Sequence, residues 1–163
     1  IREAAAVDHP GVAASHRILG RIAVSRGELE VARTHFDAAV DGARRTRGDR
    51  HPDVVDGLRQ RAELSLRQDD LAGAVADYEA ALEAREGITL PPATVAGLQW
   101  ALGRHLLELS PQARARAVDL VRQAQRGYPA EADEHAAIST WLDAHAEGVA
   151  REPSLQVEAP GGG

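Results

Sequence analysis

The chain has 163 residues and a formal charge of −6, and it is 44% hydrophobic but only 3% aromatic, so its apolar mass is Ala, Leu and Val. That length suits one compact domain or a short helical array, and that mixture favours helices packed through small side chains over a sheet core, which wants β-branched and aromatic residues. No Cys, Met, Lys or Asn occurs anywhere, which excludes thiol nucleophiles, Cys-based zinc sites, disulfides, and the phosphate-cradling and ATP-pairing Lys motifs.

In chain order, residues 1–8 fall in register with residues 43–50, so the chain, which opens on Ile1, is expected to be a piece of something longer, cut inside a preceding repeat. After Pro10, Val12, Ile18, Leu19, Ile22 and Ala23 recur at helical spacing. Gly27 interrupts the pattern, and Leu29, Ala32, Phe36, Ala39, Val40 and Ala43 resume it as far as Gly48. A second pair of helices starts at Pro52, a residue suited to a first helical turn because its missing N–H is unneeded there. It runs through Val55, Leu58, Leu64 and Leu66, turns at Asp69-Asp70, continues through Leu71, Ala74, Tyr78, Ala81 and Leu82, and closes at Gly87. A third pair carries Val95, Leu98, Trp100, Leu102, Leu106, Leu107 and Leu109, then, after Ser110-Pro111, Ala113, Ala117, Val118, Val121 and Ala124, ending at Gly127-Tyr128-Pro129. A last helix is expected over 130–148, with Ala137, Ile138, Trp141, Leu142 and Ala144 on an apolar side and Glu131, Asp133, Glu134 and Asp143 on an acidic one, as a terminal cap requires. Residues 150–163 have no periodicity and read as a disordered tail.

The pairs are copies of one unit. His9-Pro10 recurs as His51-Pro52, an offset of 42 residues, and the same offset maps Val12 onto Val54, Arg17 onto Arg59, Leu29 onto Leu71, Ala32 onto Ala74, Phe36 onto Tyr78 and Ala39 onto Ala81. The units divide as 9–50, 51–90 and a degenerate 91–129, followed by the capping helix, 130–149. The fold is therefore expected to be all-α.

Leu19-Gly20, Ala23, Gly27, Ala32, Phe36 and Ala39 stand at the spacing of the tetratricopeptide repeat, and Leu58, Ala62, Ala74, Tyr78 and Ala81 keep it in the second unit. The resemblance covers roughly residues 1–126 and implies a right-handed α-solenoid of antiparallel helix pairs that holds a protein or peptide in its concave groove. The 42-residue period, with His51-Pro52-Asp53, resembles the longer variant found in kinesin light chain. The third unit departs from the pattern by two residues around Ser110-Pro111-Gln112. Trp100-Ala-Leu-Gly-Arg, the run from Ala115 to Ala124, and Trp141-Leu142 resemble the C-terminal ends of bacterial serine/threonine kinases, whose catalytic domain would lie upstream. The GC-rich residue usage also points to a bacterium.

Carried over from the family, the groove positions are Ala14, Arg17, Arg21, Val24 and Ser25; Asp56, Arg59, Glu63, Leu66 and Arg67; and Gly97, Trp100, Arg104, Leu107 and Glu108. Arg17, Arg21, Arg59, Arg67 and Arg104, with Glu63 and Trp100, form the candidate site, and an Arg array favours an acidic peptide. The same arginines also read as the ordinary solvated surface of an Arg-rich chain. A clamp for C-terminal carboxylates built from Lys and Asn is excluded by composition.

His9 and His51 precede Pro at equivalent joints and read as loop and cap residues, while His16, His35, His105, His135 and His145 show no ligand spacing. No metal, cofactor or catalytic residue is expected, nor a nucleic-acid partner at this net charge. With no membrane-spanning run and no signal peptide, a cytoplasmic location is expected. Two functions remain open: a docking module, or a self-association module that dimerises through the truncated repeat edge.

Overall fold

The computed structural model describes residues 10–149, and among them are seven α-helices and no strand. They are α1 (Pro10–Ser25), α2 (Leu29–Arg47), α3 (Pro52–Arg67), α4 (Leu71–Ala84), α5 (Pro92–Leu109), α6 (Arg114–Gly127) and α7 (Asp133–His145), with a single 3-10 turn, Pro111–Ala113, before α6. The readings for residues 1–9 and 150–163 lie outside the described residues.

Local chemistry sets the boundaries. Pro52 and Pro92 occupy first-turn positions, where a missing N–H costs nothing. His51 caps α3 by accepting the Asp53 N–H on its ring Nδ1 at 3.1 Å, the cap role expected for it. Asp70 caps α4 by accepting the Gly73 N–H at 2.9 Å. The turn inside each of the first two pairs needs one residue with positive φ, supplied by Gly27 (+76°) and, 42 positions later, by Asp69 (+58°).

α1 and α2, α3 and α4, and α5 and α6 pack as antiparallel hairpins; α2 then packs on α3, α4 on α5, and α6 on α7. Each element thus meets mainly its chain neighbours, which is the packing of an α-solenoid. The central core runs through Val40, Leu58, Ala74, Tyr78, Leu98 and Leu102. Phe36 fills a second cluster with Ala23, Ala32 and Leu64, and Ile138 of α7 covers Ala96, Val121 and Ala124 at the C-terminal end. At Gly20 a Cβ would stand 2.5 Å from the Phe36 ring, so the bare backbone of α1 is what lets that ring in. Arg61 ties three helices: its Nε and Nη2 donate to Asp77 of α4 at 2.8 and 2.6 Å, and its Nη1 donates to Asp37 of α2 at 2.9 Å.

Two apolar stripes differ from expectation. Ile18, Leu19 and Ile22 are 55, 44 and 41% exposed. Their counterparts Gln60 and Leu64 are 8 and 1% exposed, because α2 lies over that side of α3 and no described helix lies over it in α1. Full burial of a Leu or Ile contributes about 1.5–3 kcal/mol, so this face forgoes a sizeable fraction of what α3 gains. In α7 the buried and half-buried stripe is Ile138, Trp141, Leu142 and His145; Ala137 and Ala144 are exposed with the acidic side. The helix is also shorter than 130–148, since the chain after Pro129 makes a turn before Asp133.

Candidate functional site

α1 and α3 are the first helices of successive hairpins and lie side by side, so residues four apart on each line one valley. That valley is a groove of 580 Å³ with Arg17, Arg21 and Val24 on one wall, Asp56, Arg59, Glu63 and Arg67 on the other, and Phe36 in its floor. Five of the seven sequence-derived site residues come together there: Arg17, Arg21, Arg59, Glu63 and Arg67.

Trp100 and Arg104 do not join them. They sit on α5, where the Arg104 guanidinium lies 4.8 Å above the Trp100 ring. Trp100 meets Trp141 of α7 edge to face at 5.9 Å. Beside this pair is a separate recess of 390 Å³ between Arg104, Leu107 and Glu108 of α5 and Trp141 and His145 of α7. The closing helix brings a second indole against the first, which a reading of α5 alone does not reveal. Leu66, also assigned to the groove by the family resemblance, packs instead against the central core.

The arginines of the groove are not equivalent. Arg17 Nη1 lies 3.0 Å from Asp56 Oδ2 and 3.7 Å from Asp53 Oδ1. Arg59 donates to Asp56 at 2.8 Å and pairs with Glu63 one turn on. Burial works against the Arg59 charge, but the Asp56 hydrogen bond and the fields of Glu63 and Asp56 outweigh it and hold its pKa above the ordinary guanidinium value. Arg21 and Arg67 are exposed and, among the described residues, have no hydrogen-bond or ion-pair partner. Four guanidiniums therefore face two carboxylates in the lining, and the uncompensated charge resides on Arg21 and Arg67.

Beneath the second wall Tyr78 is buried and stacks on His105, with ring centroids 6.3 Å apart. Burial pushes its hydroxyl up to about 12, with Glu63 adding to the shift and Arg59 and Arg104 opposing it.

The groove positions carried over from the family leave out two residues that line it. Phe36, part of the apolar stripe of α2, also forms the floor. Gln60 donates its Nε2 to Asp56 at 2.8 Å while its Oε1 is buried with no donor. The signal for Gln60 was in the repeat: it is a polar residue where the first unit has Ile18. Away from the groove, His16 and His35 stand with their Nδ1 atoms 3.0 Å apart across α1 and α2. Their separation of 19 residues hid that pairing. Among the described residues no group of three or more His, Cys, Asp or Glu side chains is arranged to hold a metal ion, and no helix is long and apolar enough to cross a membrane.

Comparison with known proteins agrees with this fold. No curated protein matches the chain. Among solved structures, the crystal structure of BtubC (BKLC) from P. vanneervenii resembles it with a TM-score of 0.60 at 18% identity. The resemblance covers 97% of this chain and 58% of that one, so the chain spans little more than half the length of that protein, and at this identity the likeness is one of fold. The tetratricopeptide repeat family matches residues 11–87, the two hairpins that build the groove. That match spans just under half of the chain; repeats of the family it names generally mediate protein–protein interaction, and the all-helical architecture is consistent with an α-solenoid.

Proposed function

We propose that the chain is a docking module that holds an acidic peptide segment of a protein partner in the groove between α1 and α3. The observation that carries this reading is the pair of unpartnered cations, Arg21 and Arg67, on opposite walls above an apolar floor. A guanidinium offers a carboxylate two parallel N–H donors, and clusters of Arg are a recurring means of recognising acidic motifs. Arg17, Arg59, Asp56 and Glu63 form the paired frame between them; Trp100 and Arg104 would meet only a ligand long enough to continue along α5. The parent is proposed to be a cytoplasmic bacterial signalling protein, such as a serine/threonine kinase, with this chain as its regulatory end.

The test is binding of labelled acidic peptide pools to wild type and to Arg21→Glu/Arg67→Glu by fluorescence anisotropy. We expect binding to weaken at least tenfold in the variant, and to weaken in wild type as salt is raised. Equal binding by both proteins would remove the groove as the site. The parentage is tested by the coding sequence upstream of Ile1: a kinase domain there supports it, and a different domain overturns it.

One observation favours a second reading, self-association. Ile18, Leu19, Ile22 and Val31 form most of the large exposed apolar surface among the described residues, all on the first hairpin. If that face pairs with a second copy, Ile18→Asp/Ile22→Asp should convert a dimer to a monomer in sedimentation equilibrium. A wild type that sediments as a monomer at high micromolar concentration rules this reading out.

A further inference from the structure

We infer, building on the groove as the docking site, that Gln60 is the residue that recognises the bound segment as a peptide, by accepting a main-chain N–H of the ligand on its Oε1. Gln60 is 8% exposed and lines the groove beside Phe36. Its Nε2 donates to Asp56 at 2.8 Å, and its Oε1 is buried with no donor among the described residues. Buried polar side chains are nearly always paired. The other buried polar residues among those described follow that rule: Ser65 accepts from Arg33, Asp77 accepts from Arg61, and Gln99 donates to Gln123. The open acceptor in the groove stands out against them.

Asp56 fixes which way the amide faces. Its carboxylate also meets Arg17 at 3.0 Å and Arg59 at 2.8 Å, so it is held from both walls. Turning the Gln60 amide over would set Oε1 against Asp56 Oδ2, acceptor against acceptor. The amide is therefore locked with its donor on Asp56 and its acceptor turned away from it. The repeat itself does not demand an amide at this position, since the first unit carries Ile18 there.

The chemistry of an acidic ligand names the donor. Ionised Asp and Glu side chains are acceptors only, so the carboxylates that Arg21 and Arg67 attract cannot satisfy Oε1. A main-chain N–H is the donor that a peptide carries at every residue except Pro, whatever its sequence. Arg21 and Arg67 are exposed and have no partner among the described residues, so they can swing aside as a segment enters, a movement common at interfaces. The arginines draw negative charge of any kind. Gln60 separates a peptide from other polyanions, which have no N–H to give.

The test uses a labelled peptide of alternating Glu and Ala, and a series in which one backbone amide at a time is replaced by an ester, which deletes the N–H and keeps the side chains. Wild type, Gln60→Leu and Arg21→Glu/Arg67→Glu are titrated with each by fluorescence anisotropy. We expect one ester position to weaken binding to wild type about five- to tenfold, and Gln60→Leu to weaken binding of the all-amide peptide by a similar factor. The two changes together should cost no more than either alone. Polyacrylate, a polycarboxylate without N–H donors, should bind wild type and Gln60→Leu alike. The Tm of the free chain should hold or rise in Gln60→Leu, which removes the unmet acceptor; a residue that only packs would lower it. Equal affinity of wild type and Gln60→Leu for the all-amide peptide, or ester losses that multiply with the loss in Gln60→Leu, overturns the proposal and leaves the arginine groove standing. Failure of the peptide to bind wild type, or binding unchanged in Arg21→Glu/Arg67→Glu, removes the docking site itself and this role of Gln60 with it. Should Gln60→Leu lose helical circular dichroism, Gln60→Met, unbranched and close in length, takes its place in the same cycle.

Discussion

Arg61 carries more of the structure than its charge suggests. Its two bonds to Asp77 join α3 to α4, and Asp77 is almost fully buried, whereas Asp37 on the other side is half exposed. The Asp37 arm contributes at most about 1 kcal/mol. Removing Arg61 would strand Asp77 without a cation, and a broken buried pair costs about 3–5 kcal/mol. Arg61→Ala is therefore expected to lose roughly 3 kcal/mol in urea denaturation, and Arg61→Leu/Asp77→Leu to recover most of it. A double variant no more stable than the single one would show that the loss lies in packing. Tyr78 makes a second prediction. Below pH 10 its phenol is neutral in both folded and unfolded chains. Between pH 10 and about 12 the unfolded chain gives up the proton while the folded chain retains it, so stability declines through that window and the contribution is gone above it. The decline amounts to about 2–3 kcal/mol. In Tyr78→Phe the alkaline limb of the stability profile should flatten by that much.

At the scale of helices and turns, the two copies of the unit serve as controls for each other. Gly27 and Asp69 occupy the same left-handed turn position, and only the glycine adopts it without strain. Asp69→Gly should raise stability by about 0.5–1 kcal/mol, and Gly27→Ala should lower it by about 1 kcal/mol. Paired thermal melts check both signs. The helices were legible in the sequence because their ends carry punctuation with a physical cause: Pro52 and Pro92 at starts, Gly27 and Gly48 at stops. α7 was read too long because an Ala- and acid-rich stretch propagates a helix on propensity, while the turn after Pro129 depends on tertiary context. Of the site, the residues on α1 and α3 could be placed by carrying over the family's groove positions, since two adjacent parallel helices repeat one geometry. The positions of Trp100 and Arg104 depended on where α7 docks, and no spacing within α5 contains that. Leu19 and Ile22 belong to the apolar stripe of α1, but periodicity marks an apolar face without saying whether anything covers it.

In the whole molecule, stability accumulates along a line of neighbours, so the two ends have different fates. α7 is held mainly through Ile138 and a half-buried stripe. Ile138→Asp should detach it while the hairpins from α1 to α4 remain helical, which hydrogen exchange resolved by segment can show. The pairing of Trp100 with Trp141 has a further use. These are the two tryptophans of the chain, and both stand at the α5–α7 end, so tryptophan fluorescence, excited apart from Tyr78 of α4, is blind to the first two hairpins. Circular dichroism at 222 nm reports all the helices, each roughly in proportion to its length. Unfolding followed by both signals in one denaturant series measures how far cooperativity extends along the array: coincident curves mean that the end next to α7 and the end at α1 open together, and an earlier fluorescence midpoint means that the solenoid unzips from its C-terminal side. The molecule carries its own position-specific optical probe, and no label has to be added to read the direction of its unfolding.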